Sequence, residues 1–192
     1  MLSANQYFHI YNHAIGNENL FREEKNYNFF IKKYIKYIVP HTETYAYCLM
    51  PNHFHLLLKV NNDNRNISLK PQISGNNFIS QQFSNFFNSY SKSYNKVYER
   101  KGALFVHNYK SKPILTEDQF IRTLLYIHLN PVKHKFTDDY LSWNWSSLQH
   151  HFSEKKPKWM NSEMIKEIFK DSNNYLNTHY ERSKELILLN DE

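Results

Sequence analysis

The chain contains one cysteine, Cys48, in 192 residues, so no internal disulfide can form. That usage fits a reducing compartment, and the expectation is a cytoplasmic protein. No apolar run approaches the length of a membrane span, and no N-terminal apolar stretch leads into a cleavage site. A membrane partner is therefore not expected. Repeats and low-complexity blocks are also missing, and no shift in composition marks a domain boundary. Arginine is scarce, five against nineteen lysines, while asparagine reaches 24. We read this as nucleotide-composition bias rather than as function.

What is present points to a folded protein with a real core. Hydrophobic residues make up 41% of the chain and aromatics 17%, with 15 Tyr and 14 Phe. The formal net charge is +6 and the pI about 9.2. Lysines can meet phosphates and rings can stack on bases, so this balance suits nucleic acid. It equally suits an ordinary solvated surface around an aromatic core.

Patterning orders the elements. Tyr7–Gly16 reads as a first strand. A helix follows, with Tyr27, Phe30, Ile31, Tyr34 and Ile38 at helical spacing, and Pro40 ends it. "ETYAYCLM" is a strand, Pro51-Asn52 a turn and "HFHLLLKV" the return strand of a hairpin. Residues 61–77 are polar and read as a loop. A long amphipathic helix then carries Ile79, Phe83, Phe86, Phe87, Tyr90, Tyr94 and Val97. A strand is predicted near Leu104–Tyr109. Thr116 looks like the N-cap of a helix that stops at Pro131. A tail holds Trp143 and Trp145, then helices from Ser162 and over 173–189. The order β-α-β-β-α-β-α implies an α+β fold of ferredoxin-like type. Its antiparallel sheet would have helices packed on one face, plus a helical C-terminal tail.

Two stretches carry chemistry. In "CLMPNHFHLLLKV", His53 and His55 are two apart on a strand and share a face. If Phe54 fills the core, the two imidazoles look outward side by side, which is half of a metal site. They could equally be ordinary packed histidines. In "LLYIHLNP", Tyr126 and Asn130 are four apart, one above the other on a helix. Asn130 offers a hard oxygen suited to Mg²⁺ or Mn²⁺, and Tyr126 a hydroxyl that could attack a phosphate. The alternative is a core tyrosine and an asparagine C-cap. His107, His128, His134, His150 and His151 do not read as ligands, and His128 faces away from Tyr126. Trp143 and Trp145 could stack bases, although burial of the tail against the sheet carries more weight.

Taken together, "YCLMPNHFHLLLK", "GALFVHNYKSKPI" and "YIHLNPVKH" resemble the tyrosine transposases with a His-hydrophobe-His motif. They look most like the REP-associated branch of the IS200-like group. "YFHIYNHAIG" and "LFREEKNYNFF" fit the same pattern, and the resemblance runs from about Tyr7 to Trp145. It implies a transposase and nuclease domain over residues 1–145, with 146–192 a helical extension packed on it. The implied activity is a metal-dependent single-strand DNA nickase and strand transferase acting on single-stranded or hairpin DNA. The implied roles are His53, His55 and Asn130 as ligands of Mg²⁺ or Mn²⁺, and Tyr126 as the nucleophile forming a 5′-phosphotyrosine link. Lys110 and Lys112 match a basic stretch near DNA, or are a solvated pair at a strand end. The chain departs from the family pattern at His13-Ala14, where Arg-Gly is usual, and at "NPVKHKF". These departures touch DNA contacts, not the catalytic set. The length beyond Tyr126 resembles the longer branch, so a monomer with its site built in cis is expected, and a dimer is the alternative.

Elementary chemistry suits those roles. A free tyrosine has a pKa of about 10, so it is a poor nucleophile at neutral pH. With two imidazoles and one amide as ligands, open positions remain for the scissile phosphate, and the cation's charge stays largely uncancelled. A covalent intermediate conserves the phosphodiester's free energy, so the released 3′-OH can attack it later. Two rival readings are a non-catalytic ferredoxin-like nucleic-acid binder and a zinc hydrolase. The first lacks a Lys/Arg-Gly-aromatic run, the second a third His or Cys and a general base.

Overall fold

β1 (Tyr7–His13) alternates Phe8 and Ile10 on one side with Tyr7, His9, Tyr11 and His13 on the other. That alternation makes it the centre of a two-faced sheet, as seen in a computed structural model that describes residues 2–62 and 75–188. β2 (Thr42–Met50), β3 (His53–Val60) and β4 (Lys110–Ile114) complete an antiparallel sheet of order β2-β3-β1-β4. With α1 (Glu24–Tyr37) after β1 and α2 (Gly75–Val97) after β3, this is the ferredoxin-like order that the sequence implies. Most of the segment read as a loop, residues 63–74, lies outside the described residues. The last three residues of that reading, 75–77, belong to α2.

α1 and α2 cover one face. Tyr27, Phe30 and Tyr34 from α1 and Phe83, Phe86 and Tyr90 from α2 meet Phe54, Leu56 and Leu58 of β3. The packing is largely aromatic: the Phe30 ring lies 5.2 Å from Phe54, 4.8 Å from Phe86 and 5.2 Å from Tyr90. Tyr34 also pins α1 to β2 through a 2.7 Å hydrogen bond between its hydroxyl and that of buried Thr44. Tyr34→Phe keeps the ring but leaves the Thr44 hydroxyl without this partner. The expected loss is about 1–3 kcal/mol in urea unfolding, with an unchanged m-value.

The helices are not confined to that face. α3 (Glu117–Lys133) lies on the other one, where Phe120, Leu124 and Ile127 meet Tyr45, Ala46, Cys48 and Met50 of β2 and Leu57 of β3. The reason is in β2 itself. Apart from Glu43 it is buried along its whole length, so both of its sides need cover. The tail fills out this second core with Leu148, Ile165, Phe169 and Tyr175, carried by α4 (Glu163–Phe169), α5 (Ser172–Leu188) and the loop before them. Residues 145–147 run along the outer edge of β2, bonded through Leu49 N–H to Trp145 O and Ser147 N–H to Tyr47 O, both 2.9 Å.

Two boundaries differ from the sequence reading. α3 does not stop at Pro131 but runs through it to Lys133. The ring sits in the last turn, where only one helix bond is forfeited, and the His134 and Lys135 N–H groups close the end on Asn130 O and Val132 O. β4 forms at Lys110–Ile114 rather than at Leu104–Tyr109. Pro113 is tolerated because β4 is an edge strand. Thr116 caps α3 as expected, accepting a hydrogen bond from the Gln119 N–H.

Candidate active site

β3 turns Phe54 into the aromatic core, so His53 and His55 share the opposite face, beneath α3. They do not look out to solvent, as the sequence suggested, being only 2% and 3% exposed. Their rings stand perpendicular, 5.3 Å apart. β1 lies alongside in a register that sets His13 opposite His53 and Tyr11 opposite His55. His13 stacks on His53 at 4.7 Å. His9, also buried, places its Nε2 2.8 Å from His55 Nδ1. His134, just past the end of α3, lies 4.9 Å from His53. Burial pushes the His9 and His53 pKa values down to about 4, and that of His55 well below the usual imidazole range. Lys112 adds to the effect at His9, while the Asn130 side chain opposes it at His53. These rings are neutral at pH 7, which is the ligating form.

α3 supplies the other two groups. Tyr126 is half-buried, with its ring edge-on to His55 at 5.4 Å and to His9 at 5.9 Å. One turn on, Asn130 is fully buried inside the helix rather than capping it. Its amide N–H donates to the Tyr126 carbonyl at 3.3 Å, which aims Oδ1 at His53 Nε2, also 3.3 Å away. The other nitrogen of His53, Nδ1, lies 2.7 Å from Asn52 Oδ1. An amide oxygen only accepts, and at 2.7 Å this contact is the shorter of the two, so it favours the tautomer with the proton on Nδ1 and a lone pair on Nε2. In that tautomer His53 Nε2 and Asn130 Oδ1 face each other, 3.3 Å apart, as two acceptors with no hydrogen between them. A cation suits that gap, and an imidazole-plus-amide donor set fits Mg²⁺ or Mn²⁺. Among the described residues no three His, Cys, Asp or Glu side chains group as a metal site, so the amide would be needed as the third donor.

These groups open onto a cleft lined by His9, His13, His53, His55, Tyr11 and Tyr126, and by the cations Lys112, Arg122, Lys133 and Arg182. No acid lines it. Lys133 holds its ammonium 4.8 Å from the Tyr126 ring centre. Lys112 pairs with His9 across β1 and β4, and Lys110 with Tyr11. Both lysines project on the cleft face, but Lys110 is not part of the cleft lining. The sequence reading missed His9, Tyr11, Arg122, Lys133 and Arg182, and it noted His13 only as a departure from the family pattern. His9-x-Tyr11-x-His13 carries the same period-two signal as His53 and His55. Arg182 comes from α5, and no local signal ties it to the site.

The back of α3 is held by a second set of histidines. His128 bonds His179 (2.9 Å) and Ser147 (2.8 Å), and His151 bonds Ser162 (3.0 Å). Among the described residues, His151 Nε2 is the buried side-chain nitrogen left without a partner. Burial lowers His179 to about 4, His151 to about 3 and His128 well below its ordinary value. Unfolding frees these rings to titrate near 6.5, so the folded state binds fewer protons. Their contribution is fully present above about pH 6.5 and is lost progressively as pH drops below it, toward about 4 for His179 and about 3 for His151. Acidification from pH 7 to 5 should therefore loosen the tail, read as faster amide exchange in α5. Trp143 and Trp145 are structural. The Trp143 indole N–H donates to Leu49 O at 3.0 Å, and Trp145 stacks on Tyr27 at 4.4 Å.

No protein-family model matches the chain. A putative REP-associated tyrosine transposase of Haemophilus influenzae is 25% identical over 108 residues, covering 55% of this chain. The matched segment spans 58% of that relative's length. A solved structure of a REP-associated tyrosine transposase bound to a REP hairpin superposes with a TM-score of 0.64 at 13% identity. That match covers 83% of this chain and 86% of the other, and it shows a common fold. No helix among the described residues is long and apolar enough to cross a membrane.

Proposed function

Starting from a likeness to the REP-associated tyrosine transposases in both sequence and fold, we propose that this chain cleaves and rejoins single-stranded or hairpin DNA through Tyr126. His53, His55 and Asn130 would hold Mg²⁺ or Mn²⁺. When bound, that cation offsets the negative charge that builds on the scissile phosphate. The Tyr126 phenol attacks phosphorus and loses its proton, the bond to the 3′ oxygen breaks, that oxygen takes up a proton and leaves as the 3′-OH, and the 5′ phosphate stays on the tyrosine. The released 3′-OH reverses the step on the same or another strand. Lys110 and Lys112 on β4 meet the DNA backbone, with Arg122, Lys133 and Arg182 across the cleft. Residues 1–145 form the nuclease domain and 146–192 its extension. Tyr126 lies 5.4 Å from His55 of its own chain, so one chain suffices to build the site, and the reading is of a cytoplasmic monomer.

The observation that carries this reading is the 3.3 Å approach of His53 Nε2 and Asn130 Oδ1, one helical turn from a phenol. Incubating the protein with end-labelled hairpin DNA and Mn²⁺ tests it. The expected product is an adduct that survives denaturation and carries a 3′-end label, because the downstream fragment is joined to the protein through its 5′ phosphate. Tight hairpin binding with neither adduct nor nick would favour the non-catalytic binder instead.

A further inference from the structure

His9 has no part in the catalytic set so far. It is 7% exposed, sits on the central strand, and spends its Nε2 on a 2.8 Å hydrogen bond to His55 Nδ1. The rings are tilted by 30° with centroids 5.0 Å apart, close to an in-plane approach of nitrogen to nitrogen. One proton lies between them. If His9 donates it, His55 Nδ1 is the acceptor and its own proton sits on Nε2, which spoils that nitrogen as a ligand. If His55 donates it, Nε2 keeps its lone pair. His53 solves the same problem by giving its Nδ1 proton to Asn52 Oδ1 at 2.7 Å. The two histidines of β3 thus have matching outer partners, one on the hairpin turn and one on the neighbouring strand.

We propose that His9 is a positioning residue for His55. It accepts the Nδ1 proton and so fixes Nε2 as the nitrogen presented to the divalent cation. This rests on the metal reading above. His9 itself does not touch the cation or the DNA in this role. What it controls is the tautomer and ring angle of a ligand, so the effect belongs to metal affinity before it reaches any rate.

Mn²⁺ alone is the probe, titrated calorimetrically into the full chain and two variants. His9→Leu removes the acceptor, while His9→Gln restores an oxygen near the place of Nε2. His9→Leu should weaken Mn²⁺ binding roughly 10–100-fold, and His9→Gln should recover most of it. Metal-free melting curves of all three check that folding is not the cause. Leu and Gln variants bound equally well or equally badly would overturn the proposal. Should His9→Leu fail to fold, long-range ¹H–¹⁵N spectra of the metal-free wild type decide instead. They are expected to show His55 protonated on Nδ1, and a proton on Nε2 would overturn the role of His9. A wild type that binds no Mn²⁺ refutes the metal reading itself, which separates the two failures.

Discussion

Tyr126→Phe should abolish the covalent adduct and lower strand cleavage by about 10³-fold or more, while hairpin binding changes only a few-fold. The substitution is unusually clean. The Tyr126 hydroxyl has no hydrogen bond among the described residues, so its loss leaves no buried partner stranded. The ring keeps its edge contacts with His55 and His9 and stays under the Lys133 ammonium. Stability should therefore move by no more than about 0.5 kcal/mol. Adduct formation, followed on denaturing gels, reads the chemistry, and a filter-binding curve reads affinity. The cleft contains a second phenol, Tyr11, on β1. If the adduct persists in Tyr126→Phe and disappears in Tyr11→Phe, the nucleophile has been assigned to the wrong element.

His53→Ala should lower Mn²⁺ affinity by more than about 100-fold, beyond the range that outer partners command. It deletes a donor and also frees Asn130 Oδ1 from the facing pair. In the wild type, Mn²⁺ at 100 times its dissociation constant should raise the stability of the fold by about 2.7 kcal/mol, because only the folded state assembles the ligands. His53→Ala should show almost none of that gain at the same concentration, and chelation should remove it from the wild type. Thermal melts with and without Mn²⁺ make the comparison. A wild type whose melting temperature ignores Mn²⁺ would mean that the imidazoles of β3 are packing residues.

The residues that build the site differ in how plainly the sequence announces them. His53 and His55 are legible because strand geometry fixes their common side once Phe54 is assigned to the core. Tyr126 and Asn130 are legible because four residues make one helical turn. The depth of the pair was not, since it depends on which face α3 covers, and that follows from β2 being buried on both sides. His9 carries a period-two signal of its own, but its closeness to His55 is a matter of register between strands far apart in sequence. β4 was placed too early because Pro113 argues against a strand, and only the edge position excuses it. Arg182 reaches the cleft from a helix that begins 46 residues after Tyr126. No short-range pattern encodes that approach.

The grip of the tail on the back of α3 has one more implication. His128 is bound to His179 of α5 and to Ser147 beside β2. Handing the tyrosine to another copy of the chain would mean unfastening that seam first. On the proposed reading each molecule then carries its own complete set of tools, and its turnover per mole should stay flat as the protein is diluted a hundredfold.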